Sequence, residues 1–168
     1  MSNTLFIICP FSCVENMILR KYGLKSIFIT CPGAIIPYND ASFINLLTET
    51  IVNNNITRIY FVNDTSCRIL NNVILNKSLH GLEAEYLVKS IYNQVFTMSN
   101  KRSSLLYQQF RLAELNLQFQ KEAFLINGIF TDLIIDGEIE IKTLVTDKNL
   151  RIFKESKITS GVKTSYEL

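Results

Sequence analysis

In Arg58-Ile59-Tyr60-Phe61-Val62-Asn63-Asp64-Thr65-Ser66-Cys67, an apolar run ends in a cluster of turn formers and then a cysteine. Arg58 to Val62 is rich in β-branched and aromatic side chains and has the length of a buried strand. Asn63 to Ser66 read as a turn with an N-cap, leading into a helix from Cys67 to about Leu75. The same pattern occurs twice upstream. Leu5 to Cys9 is a strand stopped by Pro10, and Ser26 to Thr30 is a strand followed by Cys31-Pro32-Gly33. Val14 to Tyr22 lies between them as a short helix closed by Gly23. Asn39 or Asp40 caps a helix to about Val52, with Phe43, Ile44, Leu47 and Ile51 on one face. Asn53-Asn54-Asn55 ends it.

Downstream, the periodicity predicts helices over Glu83 to Phe96, from Ser103 or Ser104 to about Lys121, and over Phe124 to Ile135. The last of these should stop at Asp136-Gly137. Strands Glu138 to Val145 and Leu150 to Lys154 follow, joined by a turn at Thr146-Asp147-Lys148-Asn149. Strands alternating with helices imply an α/β fold, with a central, mostly parallel sheet flanked by helices. The final pair adds an antiparallel edge hairpin. We expect a single domain over 1–155 and a loose polar tail over 156–168.

The chain has 168 residues, 48% of them hydrophobic and 19% charged, with a net charge of +2. That balance excludes the disordered class and offers no electrostatic case for a nucleic-acid or membrane partner. Leu5 to Cys9 is too short to span a bilayer. It also lacks the flanks of a signal peptide. The expected location is cytoplasmic, and Cys9, Cys13, Cys31 and Cys67 are expected to be reduced thiols.

In open sheets of this kind, sites form beyond the carboxyl ends of the strands. Cys9, Cys31 and the Asp64 to Cys67 segment all fall there. A single buried cysteine is often only a small apolar side chain. Here two strands each deliver one, and Asp64 lies three residues before Cys67. Two thiolates and a carboxylate would supply three zinc ligands and leave the fourth position to water. Asp64 also suits the role of helix N-cap, and the two roles compete for the same oxygens.

Three segments carry a resemblance: Ile8-Cys9-Pro10-Phe11-Ser12-Cys13-Val14, Ile29-Thr30-Cys31-Pro32-Gly33-Ala34, and Tyr60 to Cys67. Their order resembles the β-class carbonic anhydrase pattern of Cys-x-Asp-x-Arg, then Arg-Asn-Ala-Gly-Asn, then His-x-x-Cys, each after a strand. The Ala113-Glu114-Leu115-Asn116 helix, the Asp136-Gly137-Glu138-Ile139 step and the Val145-Thr146-Asp147 hairpin follow the same order. The resemblance rests on order and strand context more than on identity, and it leads us to expect no long N-terminal arm.

Carried over by position, the resemblance puts Cys9 and Cys67 on the two cysteine ligands of zinc and Asp64 on the histidine ligand. Phe11 and Cys13 replace the aspartate and arginine of the pair that orients zinc-bound hydroxide. Thr30 replaces the arginine of the second motif, and Gly33 is retained. Arg68 stands where the family has a small glycine, and Cys31 is a further pocket candidate. His80, the only histidine, falls outside the motifs and is given no role. An aspartate ligand adds negative charge and weakens the Lewis acidity of zinc, and losing the orienting pair typically costs 10–100-fold or more.

The favoured expectation is therefore a carbonic-anhydrase-like protein without that activity, kept as a binding or regulatory module with an unknown ligand. One alternative is a zinc enzyme, a carbonate dehydratase or another zinc hydrolase, using Cys9, Asp64 and Cys67. The other is a thiol-based redox or metal-sensing protein. The resemblance also implies a homodimer. Eleven phenylalanines and seven tyrosines without a tryptophan give more aromatic surface than one small core needs, and aromatics are enriched at interface cores.

Overall fold

The computed structural model describes residues 3–77, 81–96, 102–130 and 139–155. Its strands are β1 Asn3–Ile8, β2 Ser26–Thr30, β3 Ile56–Asp64, β4 Glu140–Asp147 and β5 Ile152–Glu155. They form one sheet in the order β2-β1-β3-β4-β5. β1 pairs in parallel with β2 and β3, and β3 with β4, while β4 and β5 are antiparallel. The mostly parallel sheet with an antiparallel edge hairpin is therefore as expected. The helices are α1 Glu15–Tyr22, α2 Ala41–Asn53, α3 Arg68–Ile74, α4 Glu83–Val95 and α5 Leu105–Ile126.

Chirality explains the layers. The chain steps from β1 to β2 in one direction and then crosses back over β1 to β3. Right-handed crossovers put the two connecting helices on opposite faces of the sheet. Leu5, Ile7, Cys9, Ile59, Phe61, Ile141 and Val145 pack on the face covered by α2 to α5. Phe6, Ile8, Tyr60, Val62 and Leu144 pack on the other face with Val14 and Ile18. Every second residue of a strand serves one layer, as the pleat requires. Asp40 caps α2, its Oδ1 accepting from the Phe43 N–H at 3.1 Å. Gly23 closes α1 at φ 88°, a conformation that suits glycine.

Several boundaries differ from expectation. Asn63 and Asp64 continue β3 instead of turning, because β4 lies alongside and pairs them with Val145 and Thr146. Asp64 is then not the N-cap of α3. That position is Cys67, whose side chain makes no capping bond. The helix expected to stop near Lys121 runs on to Ile126. No breaker intervenes, and Phe124 continues the buried face of Leu117 and Gln120. A short 3-10 turn, Gly128–Phe130, follows. The hairpin turn falls at residues 148–151, because Thr146 and Asp147 still pair with Phe153 and Ile152. The rest of the helix expected to reach Ile135, the Asp136-Gly137-Glu138 step, His80 and the 156–168 tail lie outside the described residues. Among those described, no helix is long and apolar enough to cross a membrane.

The extension of α5 brings the buried Phe124 ring to 4.4 Å from Phe130, stacked, and to 5.7 Å from Phe61, edge-on. Phe124→Ala is expected to destabilise the chain by about 3–5 kcal/mol, measured by chemical denaturation. A loss below about 1 kcal/mol would mean that this end of α5 is not packed on the sheet.

Candidate functional site

In a sheet of order 2-1-3-4-5, the connections leave β1 and β3 in opposite directions, and the gap between their carboxyl ends is where ligands bind. Cys9 follows β1 directly and Cys67 follows the turn after β3. Both side chains are fully buried. The Cys67 thiol donates to Cys9 Sγ at 3.3 Å, and the Gly33 N–H donates to the same sulfur at 3.2 Å.

Gly33 can do this because of its backbone. Its φ is 66°, and an added Cβ would meet the Ile35 side chain at 3.3 Å. A β-carbon would be strained there on both counts. The Gly33 carbonyl accepts from Asn63 Nδ2 at 3.1 Å and from Asn116 Nδ2 at 2.7 Å. Asn116 Nδ2 also donates to Asn63 Oδ1 at 2.7 Å. The loop after β2, the end of β3 and the middle of α5 thus meet on one buried peptide.

These donors set the chemistry of the pair. The hydrogen bond from Cys67 lowers Cys9 to a pKa of about 7 against the opposing effect of burial, with help from the Phe11 and Gly33 backbone amides. Cys67 moves the other way, well above the usual thiol range, because its proton serves Cys9 and because it is buried. When the pair loses one proton, the charge therefore sits on Cys9 and the remaining proton on Cys67.

Asp64 is fully buried beside this pair in sequence, but its carboxylate is otherwise engaged. Oδ1 accepts from the Ser66 N–H at 2.9 Å and from the Ser66 hydroxyl. Oδ2 accepts from Thr146 Oγ1 at 2.7 Å and from the Lys148 N–H at 3.0 Å. Each oxygen thus already has two donors. Among the described residues, no group of three His, Cys, Asp or Glu side chains is placed to hold a metal ion. The arrangement offers zinc the two sulfurs but no free third ligand, so it does not fit the three-ligand site that catalysis requires.

The other candidates are dispersed. Phe11 is 40% exposed. With Arg68, Ile69, Leu82 and Glu85 it lines a cleft of about 280 Å³. Cys13 is exposed at φ 53°, and its thiol lies 3.9 Å from the Pro10 carbonyl. Thr30 and Cys31 line a larger apolar cleft of about 810 Å³ with Phe43, Leu87, Ile91 and Phe119. Burial pushes the Cys31 thiol up to about 12. The sequence reading missed Asn63, Asn116, Thr146 and Lys148. Only Asn116 left a signal, as an amide one turn after Leu112 on the apolar stripe of α5.

A sheet of this order, with a thiol pair at its switch point and all its helices but α1 on one face, defines a single-domain α/β protein with a site between β1 and β3. No protein-family model matches the sequence, and neither does any curated protein. Solved structures do match. The β-carbonic anhydrase CafD of the filamentous fungus Aspergillus fumigatus superposes with a TM-score of 0.77 at 17% identity, over 94% of this chain and 90% of that one. A tetrameric β-carbonic anhydrase of Sordaria macrospora gives 0.77 at 13% identity, over 92% and 80%. The Coccomyxa β-carbonic anhydrase bound to acetazolamide gives 0.72 at 15% identity, over 92% and 71%. The fold of this chain is that of the β-carbonic anhydrases.

The depressed Cys9 and elevated Cys67 have opposite linkages to stability. Cys9 contributes stability that is present above the unfolded thiol pKa and lost as pH falls through about 7. Cys67 contributes stability that is present below the unfolded thiol pKa and lost as pH rises towards its elevated value. Ultraviolet titration of the metal-free chain should show one thiolate forming near pH 7, and Cys67→Ala should move that midpoint upward. An unchanged midpoint would contradict the Cys67 hydrogen bond as its cause.

Proposed function

We propose that this chain is a β-carbonic-anhydrase-like protein without carbonic anhydrase activity, acting as a binding or regulatory module. The reading is carried by Asp64. In the family, a zinc ion supplies a water acidic enough to attack carbon dioxide at neutral pH. At the position where the family has its histidine ligand, this chain has a shorter carboxylate that accepts four hydrogen bonds. Turning it towards a metal would sacrifice bonds worth about 1.5–3 kcal/mol each, since the acceptor is charged. Phe11 and Cys13 supply neither the acceptor nor the guanidinium that would orient an attacking hydroxide. The zinc-enzyme alternative must overcome both obstacles, although the retained thiol pair keeps two of its ligands.

We also infer a homodimer in the cytoplasm. Leu87 and Phe119, each 42% exposed, lie in the wall of the apolar cleft of about 810 Å³. Apolar surface of this kind is typical of the cores of homodimer interfaces. Light scattering at micromolar concentration should give twice the chain mass. A monomer at that concentration would contradict the inference.

Stopped-flow hydration of carbon dioxide tests the main proposal. With zinc supplied, the native chain should fall several orders of magnitude below an Asp64→His, Phe11→Asp, Cys13→Arg triple variant, each tenfold being about 1.4 kcal/mol of barrier. Turnover by the native chain at rates typical of carbonic anhydrases would overturn the inactive reading.

A further inference from the structure

We propose that Cys9 and Cys67 form a peroxide-oxidised dithiol that closes to a reversible intramolecular disulfide. The proposal stands on geometry and rests on the reading above that the two sulfurs hold no zinc. The two sulfurs lie 3.3 Å apart, so a movement of roughly 1.3 Å brings them to bonding distance, near 2.05 Å. They sit on loops that follow different strands, 58 residues apart in sequence. Only tertiary structure brings them together, and each loop can yield without breaking a strand.

The surroundings also assign roles. Cys9 Sγ receives hydrogen bonds from the Cys67 thiol and the Gly33 N–H, so its electron pair is presented with Cys67 already in contact. A resolving thiol adjacent to the reacting one is the arrangement of redox-sensing cysteines. The remaining cysteines differ. Cys31 is buried, with burial alone raising its thiol, and Cys13 is exposed with only a distant carbonyl. Both sulfurs are fully buried. Their sequence neighbours Phe11, Arg68 and Ile69 line a cleft of about 280 Å³ that neither sulfur itself lines, so the oxidant must be as small as peroxide to reach them.

The chemistry balances with hydrogen peroxide as oxidant. The Cys9 sulfur attacks one peroxide oxygen, the O–O bond breaks, and the thiol proton leaves with the other oxygen as water. The product is a sulfenic acid on Cys9. The Cys67 sulfur then attacks the Cys9 sulfur, the S–S bond forms, the S–O bond breaks, and the second water leaves with the Cys67 proton. Two electrons pass from the sulfurs to the peroxide. A dithiol reductant returns them by thiol–disulfide exchange.

The test uses the full, metal-free chain treated with hydrogen peroxide, quenched with N-ethylmaleimide under denaturing conditions and mapped by peptide mass. The expected product is a Cys9–Cys67 linked peptide pair, with Cys13 and Cys31 alkylated, and full reversal by dithiothreitol. In Cys67→Ser, Cys9 should stall as a sulfenic acid trapped by dimedone. If that variant fails to fold, Cys13→Ser serves instead and should form the disulfide at an unchanged rate. The proposal is overturned if the native chain yields only singly oxidised Cys9. A disulfide to Cys13 or Cys31, or no oxidation where free cysteine is fully consumed, would overturn it equally.

Discussion

Gly33 holds the site together through the two peptide groups that flank it. Its N–H points at the Cys9 sulfur, and its carbonyl takes the amides of Asn63 and Asn116. One residue thus ties the loop after β2 to the end of β1, the end of β3 and the centre of α5. All of these groups are buried, where a lost partner costs about 1–3 kcal/mol for each polar group left unsatisfied. Gly33 makes these contacts at a φ of 66°, a conformation that suits a residue without a β-carbon. The parallel order of β2, β1 and β3 supplies the rest by placing three strand ends within reach of one loop.

Within that frame, the difference between a metal site and a thiol pair comes down to one side chain. Asp64 sits where the resemblance puts a histidine, but β4 passes beside it. Thr146 and Lys148 of the β4 hairpin, with Ser66 of its own turn, take up both of its oxygens. A buried carboxylate needs such donors to offset the hydration it loses. The interactions that stabilise Asp64 in the fold leave neither of its oxygens without a donor. Cys9 and Cys67 hydrogen-bond to each other.

How much of this the sequence carried depends on the range of the interaction. The strands β1, β2 and β3 were legible because apolar runs of strand length are local signals, and so was the Asp40 cap. The closeness of Cys9 and Cys67 followed from strand order, since both stand just past parallel strands. The roles of Asn63 and Asp64 were not legible. Both are turn-forming residues by local propensity, and only pairing with β4, about eighty residues later, keeps them in the strand. The partners of Asp64 were hidden for the same reason. The continuity of α5 past Lys121 was misread although no breaker stands there, because the apolar pattern is dense enough to divide in two. Asn116 was the one readable hint of the buried amide network, a polar residue on an apolar face.

The central claim is that this site offers two sulfurs and no third ligand. Elemental analysis of the chain purified from zinc-supplemented cells, with protein quantified in the same sample, tests it most directly. The account predicts zinc well below one ion per chain, unchanged in Asp64→Ala. One tightly held zinc per chain, lost when Asp64 is replaced, would contradict it.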